Sequence, residues 1–148
     1  MKKYILIWVI GGICLLTLLG WFLFFPGIPA GLQGRIWIMR SIQTDQGVML
    51  LQNDNPQKFT LEFTPDGFRG HAACNFYDGK YHFVRFTHIF KTSWVFSTLM
   101  ACLPQEEMQQ DDVFFKVIEK ANRYALDSNE LRIYSENSMK VVIFQSGE

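Results

Sequence analysis

Five side chains of the kinds that ligate zinc lie between positions 71 and 102, namely His71, Cys74, His82, His88 and Cys102. Imidazole and thiolate groups are the usual ligands of Zn²⁺ in proteins. Their spacings match no compact ligand pair such as Cys-x-x-Cys or His-x-x-x-His. His71 and Cys74 are close in sequence, but on a strand they would point to opposite faces of the sheet. We therefore expect surface histidines and no metal centre.

The two cysteines of this stretch suggest a different chemistry. A bond between Cys74 and Cys102 would close a loop of about 28 residues, which the chain-entropy model values at roughly 3 to 4 kcal/mol. In an oxidising compartment we expect this pair to form a disulfide. Two alternatives stay open, namely separately buried reduced cysteines and a redox-active pair. The redox-active pair lacks both the Cys-x-x-Cys spacing and an adjacent base that would lower a thiol pKa.

Catalytic motifs are missing from the sequence. It contains no Gly-x-Ser-x-Gly elbow for a serine nucleophile and no glycine-rich phosphate loop before a helix. Four acidic residues stand near the start of the predicted helix, and we interpret them as a solvated surface and not as an acid/base pair: Glu106, Glu107, Asp111 and Asp112. The sequence thus predicts a protein that is not an enzyme and has no cofactor.

An apolar N-terminal stretch begins at Tyr4 and ends at Phe25 without a single charged residue. At a helical rise of 1.5 Å per residue it would reach about 33 Å, enough to cross the hydrocarbon core of a bilayer. Lys2 and Lys3 precede it, so the positive-inside rule places the N-terminus in the cytoplasm. We predict a single-pass membrane protein whose domain lies on the outer side of the membrane.

A cleaved signal peptide is the alternative to this anchor. Ile28-Pro29-Ala30 resembles a cleavage site, and cleavage there would release a secreted protein. The apolar run, however, is longer than the usual signal-peptide core of roughly 7 to 15 residues. Prolines and glycines crowd residues 25–34, which we interpret as a linker. We therefore divide the chain into residues 1–30, the anchor and linker, and residues 31–148, the domain.

Charge excludes one class of partner. The chain carries 14 basic and 14 acidic residues, and the N-terminal 30 residues include two of the lysines and no acid. The predicted domain is therefore slightly acidic and shows no basic patch, so we expect no nucleic-acid binding.

The first half of the predicted domain has the pattern of β-strands. Apolar residues around Trp37 and alternating runs further on predict six strands, at residues 36–42, 47–51, 59–63, 68–74, 81–86 and 88–94. Pro65-Asp66-Gly67 predicts a hairpin turn, and Asp78-Gly79 predicts a second turn. Asn75, after Cys74, and Gly79, after Asp78, are predicted to hold positive-φ or side-chain-capped turn positions.

The second half changes period. From Gln109 to Arg123 apolar residues recur at helical spacing, and three short strands at residues 124–126, 131–134 and 141–144 follow as a meander. We predict an α+β fold in which an antiparallel, strongly curved sheet or incomplete barrel packs on one amphipathic helix, preceded by the single transmembrane helix.

The motifs of the domain resemble those of the META domain (HslJ-like) family. Trp37 corresponds to the early tryptophan of that family, and Leu131 falls in its closing Leu-x-Leu strand. The remaining matches follow its glycine, cysteine and helix motifs: Gly70, Cys74, Asn75 and Gly79, then Thr98, Met100, Ala101 and Cys102, then Asp112 and Phe115. Ala73 departs from the pattern, which has glycine before the cysteine, and Asp112 stands where glutamate is usual.

The resemblance implies an envelope protein without an accepted catalytic activity. Similar proteins are secreted, lipid-anchored or membrane-anchored, and some are linked to heat shock or antibiotic tolerance. Together with the predicted span, the resemblance implies a bacterial inner-membrane protein whose periplasmic domain is a binding or stress-tolerance module, with an unknown envelope protein or lipid as its partner. An alternative is a lipid or peptide carrier with an apolar groove lined by aromatic residues of the second and third quarter of the domain: Phe83, Phe86, Phe90, Trp94 and Phe96.

Overall fold

The computed structural model describes residues 8, 10–18, 20, 28–50, 58–84, 87–101, 105–136 and 140–147. Within the domain these residues form nine strands and one helix, here called α1. Their bounds are β1 Ile36–Thr44, β2 Gly47–Leu50, β3 Thr60–Thr64, β4 Gly67–Ala72, β5 Asn75–Phe83, β6 Phe90–Ser97, α1 Gln105–Glu119, β7 Ala121–Asp127, β8 Glu130–Ser135 and β9 Val141–Ser146.

The strands form one antiparallel sheet in the order β6-β5-β4-β3-β1-β9-β8-β7, and β2 pairs with β1 outside this path. A single antiparallel bridge between Ile89 and Arg123 brings the two ends of the sheet together. The amide of Tyr124 also donates a 2.9 Å hydrogen bond to the carbonyl oxygen of His88. The sheet is therefore a nearly closed barrel, and α1 packs against β6, β8 and β9.

Aromatic and aliphatic side chains fill the interior of the barrel. Strand β3 is an example: its buried residues alternate with half-buried ones, as expected for a strand with one face in a core. Phe114 and Phe144 are fully buried and meet edge to face at 6.4 Å. The largest of the fully buried side chains are Trp37, Phe59, Phe68, Phe90, Phe114 and Phe144.

The barrel has two distinct ends. At one end lie residues 28–35, where Arg35 donates a hydrogen bond to the carbonyl oxygen of Ser128 in the β7–β8 turn. The β3–β4 turn lies at the same end, because Gln33 forms a bridge with Phe63. Residues 98–101, the start of β5 and the start of α1 lie at the other end. We call these the 28–35 end and the 98–101 end.

The curved antiparallel sheet on one helix confirms the predicted fold of the domain, and the meander of β7, β8 and β9 is present as predicted. The helix prediction is displaced, since α1 begins at Gln105 and ends at Glu119. Arg123 lies in β7, because the chain must leave the helix to complete the sheet.

The predicted turn at Asp78-Gly79 is wrong. Both residues lie inside β5, where Asp78 pairs with Arg69 and Gly79 pairs with Phe68. A β-carbon on Gly79 would lie 2.5 Å from the ring of Phe68. Glycine is therefore required there because a ring crosses the strand, and not because the backbone turns.

Residues 28–34, predicted as linker, belong to the body of the domain. Leu32 is fully buried, and Ile28 packs against the core. The indole nitrogen of Trp37 donates a 3.3 Å hydrogen bond to the carbonyl oxygen of Leu32. These contacts tie the stretch to β1, so the breaker residues shape a docked turn.

The predicted membrane span at residues 4–25 lies partly outside the described residues. Residues 10–18 are helical. No described helix has both the length and the apolar character needed to cross a membrane.

Candidate functional site

Asn75, the first residue of β5, is the centre of the motif residues at the 98–101 end. Its side chain is buried and its amide nitrogen donates a 2.6 Å hydrogen bond to a carboxylate oxygen of Asp111 on α1. Its amide oxygen accepts hydrogen bonds from the hydroxyl of Thr98, at 2.9 Å, and from the backbone amide of Met100, at 2.8 Å. One asparagine thus joins the sheet, the helix and residues 98–101.

Thr98 completes this network. Its hydroxyl accepts a 3.1 Å hydrogen bond from the amide of Phe76, and its own amide donates to the carbonyl oxygen of Phe76 at 3.0 Å. Threonine suits the position because one hydroxyl donates to Asn75 and accepts from the backbone at the same time. The network holds residues 98–101 beside the start of β5.

Asp111 is buried, which corrects the expectation that all four acids near the helix start are solvated. Burial raises the pKa of this carboxyl group to about 6, the hydrogen bond from Asn75 opposes the rise, and the nearby charge of Asp112 adds to it. Its second oxygen has no hydrogen-bond partner among the described residues. A buried carboxylate with one unpaired oxygen favours the protonated state.

Asp112 and Phe115, the residues that match the helix motif of the family, have different surroundings from Asp111. Asp112 is exposed and forms an ion pair with Lys116 one turn later. Phe115 packs its ring against Tyr77 at 5.8 Å. Asp111 and Phe114 have the same spacing and both are buried. That second match at i, i+3 was the signal that could have identified Asp111.

Gly70 allows a tyrosine to cross the sheet. The hydroxyl of Tyr77 donates a 2.6 Å hydrogen bond to the carbonyl oxygen of Thr60, and burial raises the pKa of Tyr77 well above its usual value. A β-carbon on Gly70 would lie 1.9 Å from that carbonyl oxygen and 2.7 Å from the Tyr77 hydroxyl. Glycine is therefore needed at this motif position because any side chain would collide with the neighbouring strand and with Tyr77.

Ala73 adopts a left-handed conformation with φ of 47° in the turn between β4 and β5. Non-glycine residues are strained in this region, and glycine is not. The glycine that the family pattern has at this position therefore has a conformational reason, and this chain carries a strained alanine there.

Among the cavities lined by described residues, two lie next to the Asn75 network. The smaller, of about 340 Å³, lies between residues 98–101 and α1, with Met108, Asp111 and Phe115 in its wall. Its outer side is formed by Leu99, Met100 and Ala101, which are all exposed. Leu99 is almost fully exposed, at 98%. The Asn75 network thus fixes one wall of an open, largely apolar depression.

The larger cavity is a groove of about 660 Å³ on the outer face of the sheet, which we call the outer groove. One row of register partners crosses it, formed by Ile36, Glu62, Arg69, Asp78 and Phe96. Arg69 and Glu62 form an ion pair at 2.8 Å. His71 lies against Phe76 in the same groove, with ring centroids 4.0 Å apart. The groove therefore combines exposed rings with charged groups.

The aromatic residues proposed for a carrier groove fall into two groups. Phe83 and Phe90 are buried in the core, with ring centroids 5.0 Å apart. Trp94 and Phe96 are exposed on the outer face and contact each other edge to face at 4.4 Å. Phe86 lies outside the described residues.

The three histidines are exposed. No group of three or more His, Cys, Asp or Glu side chains within the described ranges is arranged to hold a metal ion. The sulfur of Cys74 lies 3.6 Å from the carbonyl oxygen of Met100. Cys102 lies outside the described residues, so the disulfide stays a prediction.

The sequence of residues 30–148 matches the family model of the META domain. This chain belongs to the META domain family. A comparison with curated proteins returned no match. Solved structures that resemble the fold of this chain at low sequence identity include the following three.

The first is an NMR structure of a protein from Burkholderia xenovorans, with a TM-score of 0.64, 14% identity, and coverage of 78% of this chain and 83% of that chain. The second is an NMR structure with a TM-score of 0.59 and 16% identity, covering 80% of this chain and 94% of that chain. The third is the crystal structure of a DUF4847 family protein from Bacteroides vulgatus ATCC 8482, with a TM-score of 0.59, 12% identity, and coverage of 80% and 96%. At these identities the likeness concerns the fold alone.

Proposed function

We propose that this META protein is a membrane-anchored, periplasmic envelope protein that acts as a non-catalytic binding module in stress tolerance. The proposal rests on the hydrogen bonds of the motif side chains. The side chains of Asn75 and Thr98 are hydrogen-bonded to each other, to Asp111 and to backbone groups. Groups engaged in this way hold a surface in place.

The binding surface that we propose is the outer groove, which is lined by Thr98 and by Phe76, the residue whose backbone Thr98 holds through two hydrogen bonds. Phe76 and Phe96 are 53% and 64% exposed there, beside the charged pair of Glu62 and Arg69. Exposed aromatic rings next to charged groups are typical of binding surfaces, because the rings contribute large contact areas and the charges contribute specificity.

The binding role is tested by complementation of a strain that lacks the gene, grown under heat, detergent and antibiotic stress. The double variant Phe76→Ser with Phe96→Ser should keep its melting temperature and fail to restore growth. Val48→Ser, at another exposed apolar position outside the groove, should restore growth fully. Full complementation by the double variant, or a deletion strain with normal growth under every stress, would exclude this role.

The periplasmic location is tested by counting thiols in full-length protein taken from its native membrane. The chain has three cysteines, and Cys14 is free. In an oxidising compartment Cys74 and Cys102 should form a disulfide and so be protected from alkylation. We expect one alkylated thiol before reduction and three after it. If all three thiols are alkylated in the denatured, unreduced protein, either the domain faces a reducing compartment or the pair is kept reduced for chemistry.

A carrier of lipid or peptide is the second candidate function. The exposure of Trp94 and Phe96 favours it, because rings on a sheet surface can hold an acyl chain or a peptide side chain. Because buried side chains fill the interior of the barrel, we place the proposed ligand in the outer groove. Native mass spectrometry should then show a co-purifying lipid or peptide that the Phe96→Ser variant loses, and protein without a bound mass would exclude the carrier.

A thiol-redox or metal-dependent enzyme is the third candidate, and its test is a pair of substitutions. If Cys74 and Cys102 form a structural bond, Cys74→Ser with Cys102→Ser should lower the melting temperature and reduce function in parallel. Unchanged stability together with lost function would instead indicate thiol chemistry.

A further inference from the structure

Residues 28–35 already belong to the folded domain. The domain therefore begins closer to the predicted membrane span than the sequence suggests. Ile28 already packs against the core, and Leu32 is fully buried. The apolar run ends at Phe25, so only Pro26 and Gly27 separate it from the docked segment. Over three residues a fully extended chain covers at most about 10 Å.

This distance is comparable to the thickness of a headgroup layer. The polar regions of a bilayer add roughly 5 to 7 Å on each side of the hydrocarbon core. If the apolar run spans the membrane, the segment at Ile28 must therefore lie in or next to the headgroups. A tether this short would keep the body of the domain next to the membrane.

The β7–β8 turn is held next to residues 28–35. A β-carbon on Gly31 would lie 3.2 Å from the side chain of Leu126 at the end of β7. Arg35 donates its 3.0 Å hydrogen bond to the carbonyl oxygen of Ser128. The β7–β8 turn, with Ser128 and Asn129 exposed, thus lies beside the segment that leaves the membrane.

We infer that the 28–35 end of the barrel, with the β7–β8 turn, rests on the phospholipid headgroups of the protein's own membrane, and that the 98–101 end faces away from it. This inference rests on the proposed membrane anchor. The two ends lie at opposite ends of β4, because its first residue, Gly67, follows the β3–β4 turn at the 28–35 end, while its last residue, Ala72, pairs with Asn75 at the 98–101 end. Leu99 and the smaller cavity then open toward the periplasm.

The contact depends on the short tether and not on charge. Arg35 is the cation of residues 28–35, and it is already engaged with Ser128. Asp127, at the end of β7, is exposed and acidic. Holding a surface next to a bilayer raises its effective concentration there without any intrinsic affinity. A longer tether should therefore release it.

The test uses full-length protein in vesicles of phosphatidylethanolamine and phosphatidylglycerol. A photoreactive phenylalanine analogue replaces either Ser128 or, as the control at the opposite end, Leu99. After irradiation the intact mass reports lipid adducts. We expect adducts at position 128 and none above background at position 99.

A second variant carries a flexible Gly/Ser insertion of about twelve residues between Gly27 and Ile28, which adds roughly 20 Å of root-mean-square reach. It should reduce the adduct yield at position 128 severalfold. Equal yields at positions 128 and 99, or a yield that the insertion leaves unchanged, would overturn the inference.

The failure of the anchor itself has a separate signature. If the intact mass of protein from its native membrane lacks the first residues, the chain is cleaved, and the proposed anchor and this inference fail together. If the full-length mass is found but position 128 gives no adduct, the anchor stands and the orientation fails.

Discussion

The side-chain amide of Asn75 donates a 2.6 Å hydrogen bond to the buried carboxyl group of Asp111, and so joins the first residue of β5 to the middle of α1. Asp111 lies 36 positions later in the chain. The pair fixes the helix against the sheet at the place where residues 98–101 leave β6. Its chemistry leads to the first two predictions.

Replacing Asn75 with alanine should lower the free energy of unfolding by about 2 to 4 kcal/mol, because it leaves Asp111, Thr98 and the amide of Met100 without their partner. Asn129→Ala, at an exposed turn position, should change it by less than about 0.5 kcal/mol. Chemical denaturation measures both. Hydrogen exchange of the Met100 amide should accelerate only in the Asn75 variant, and equal behaviour of the two variants would contradict the role of the network.

The carboxyl group of Asp111 should make stability depend on pH. Its pKa in the fold, about 6, exceeds the unfolded value, so the native state binds this proton more tightly. The resulting stabilisation is complete below about pH 4 and is lost as the pH rises through about 6.

Asp111→Asn removes this titration while it retains an oxygen that accepts from Asn75. Partial hydration screens part of the cost of burying the charge. We therefore expect the substitution to raise the free energy of unfolding by about 1 kcal/mol at about pH 7.5 and to change it little at about pH 4. Denaturation curves of both proteins across this range give the difference directly. A difference that grows toward low pH would show that the charged form is the stable one.

The strained alanine of the β4–β5 turn predicts a stabilising substitution. Ala73→Gly relieves a left-handed conformation that costs a residue with a β-carbon about 1 kcal/mol, and should raise the free energy of unfolding by up to that amount. Ala72→Gly is the matched control, because Ala72 is fully buried at the end of β4. There the substitution should be destabilising by roughly 0.5 to 1 kcal/mol. Thermal denaturation that shows a loss in both variants would contradict the strain.

Gly70→Ala should be among the most damaging small substitutions, because its β-carbon would overlap the carbonyl oxygen of Thr60 in the neighbouring strand. We expect a loss of about 3 kcal/mol or more, or a protein that does not fold. Gly34→Ala is the comparison. Its φ of 73° disfavours alanine by about 1 kcal/mol, but a β-carbon there meets nothing within 4 Å. Far-ultraviolet circular dichroism and melting curves rank the two, and equal losses would contradict the steric explanation.

Most strands and the single helix of the domain could be predicted from local pattern. Residues 59–63 alternate because one face of β3 lies in the core, and the period of α1 follows Phe114, Val117 and Ile118. Such patterns record which face is buried. They do not record where the chain leaves an element, so α1 was predicted four residues too late.

Asp78-Gly79 shows a second limit. The dipeptide is a turn signal when only neighbours in sequence are considered, but here Gly79 lies under the ring of Phe68 on the adjacent strand. The decisive contact comes from a residue eleven positions earlier, which reaches it only through the register of β4 and β5.

The candidate site divides in the same way. The sequence alone placed Asn75, Thr98 and Asp112 at motif positions, predicted a strongly curved antiparallel sheet or incomplete barrel on one helix, and showed that an apolar run precedes it. Only the tertiary structure decided that Asp111 and not Asp112 meets Asn75, and that residues 28–34 belong to the domain. Helical spacing allows either acid to face the sheet, and burial is a property of the surfaces that meet, which no single segment of the sequence contains.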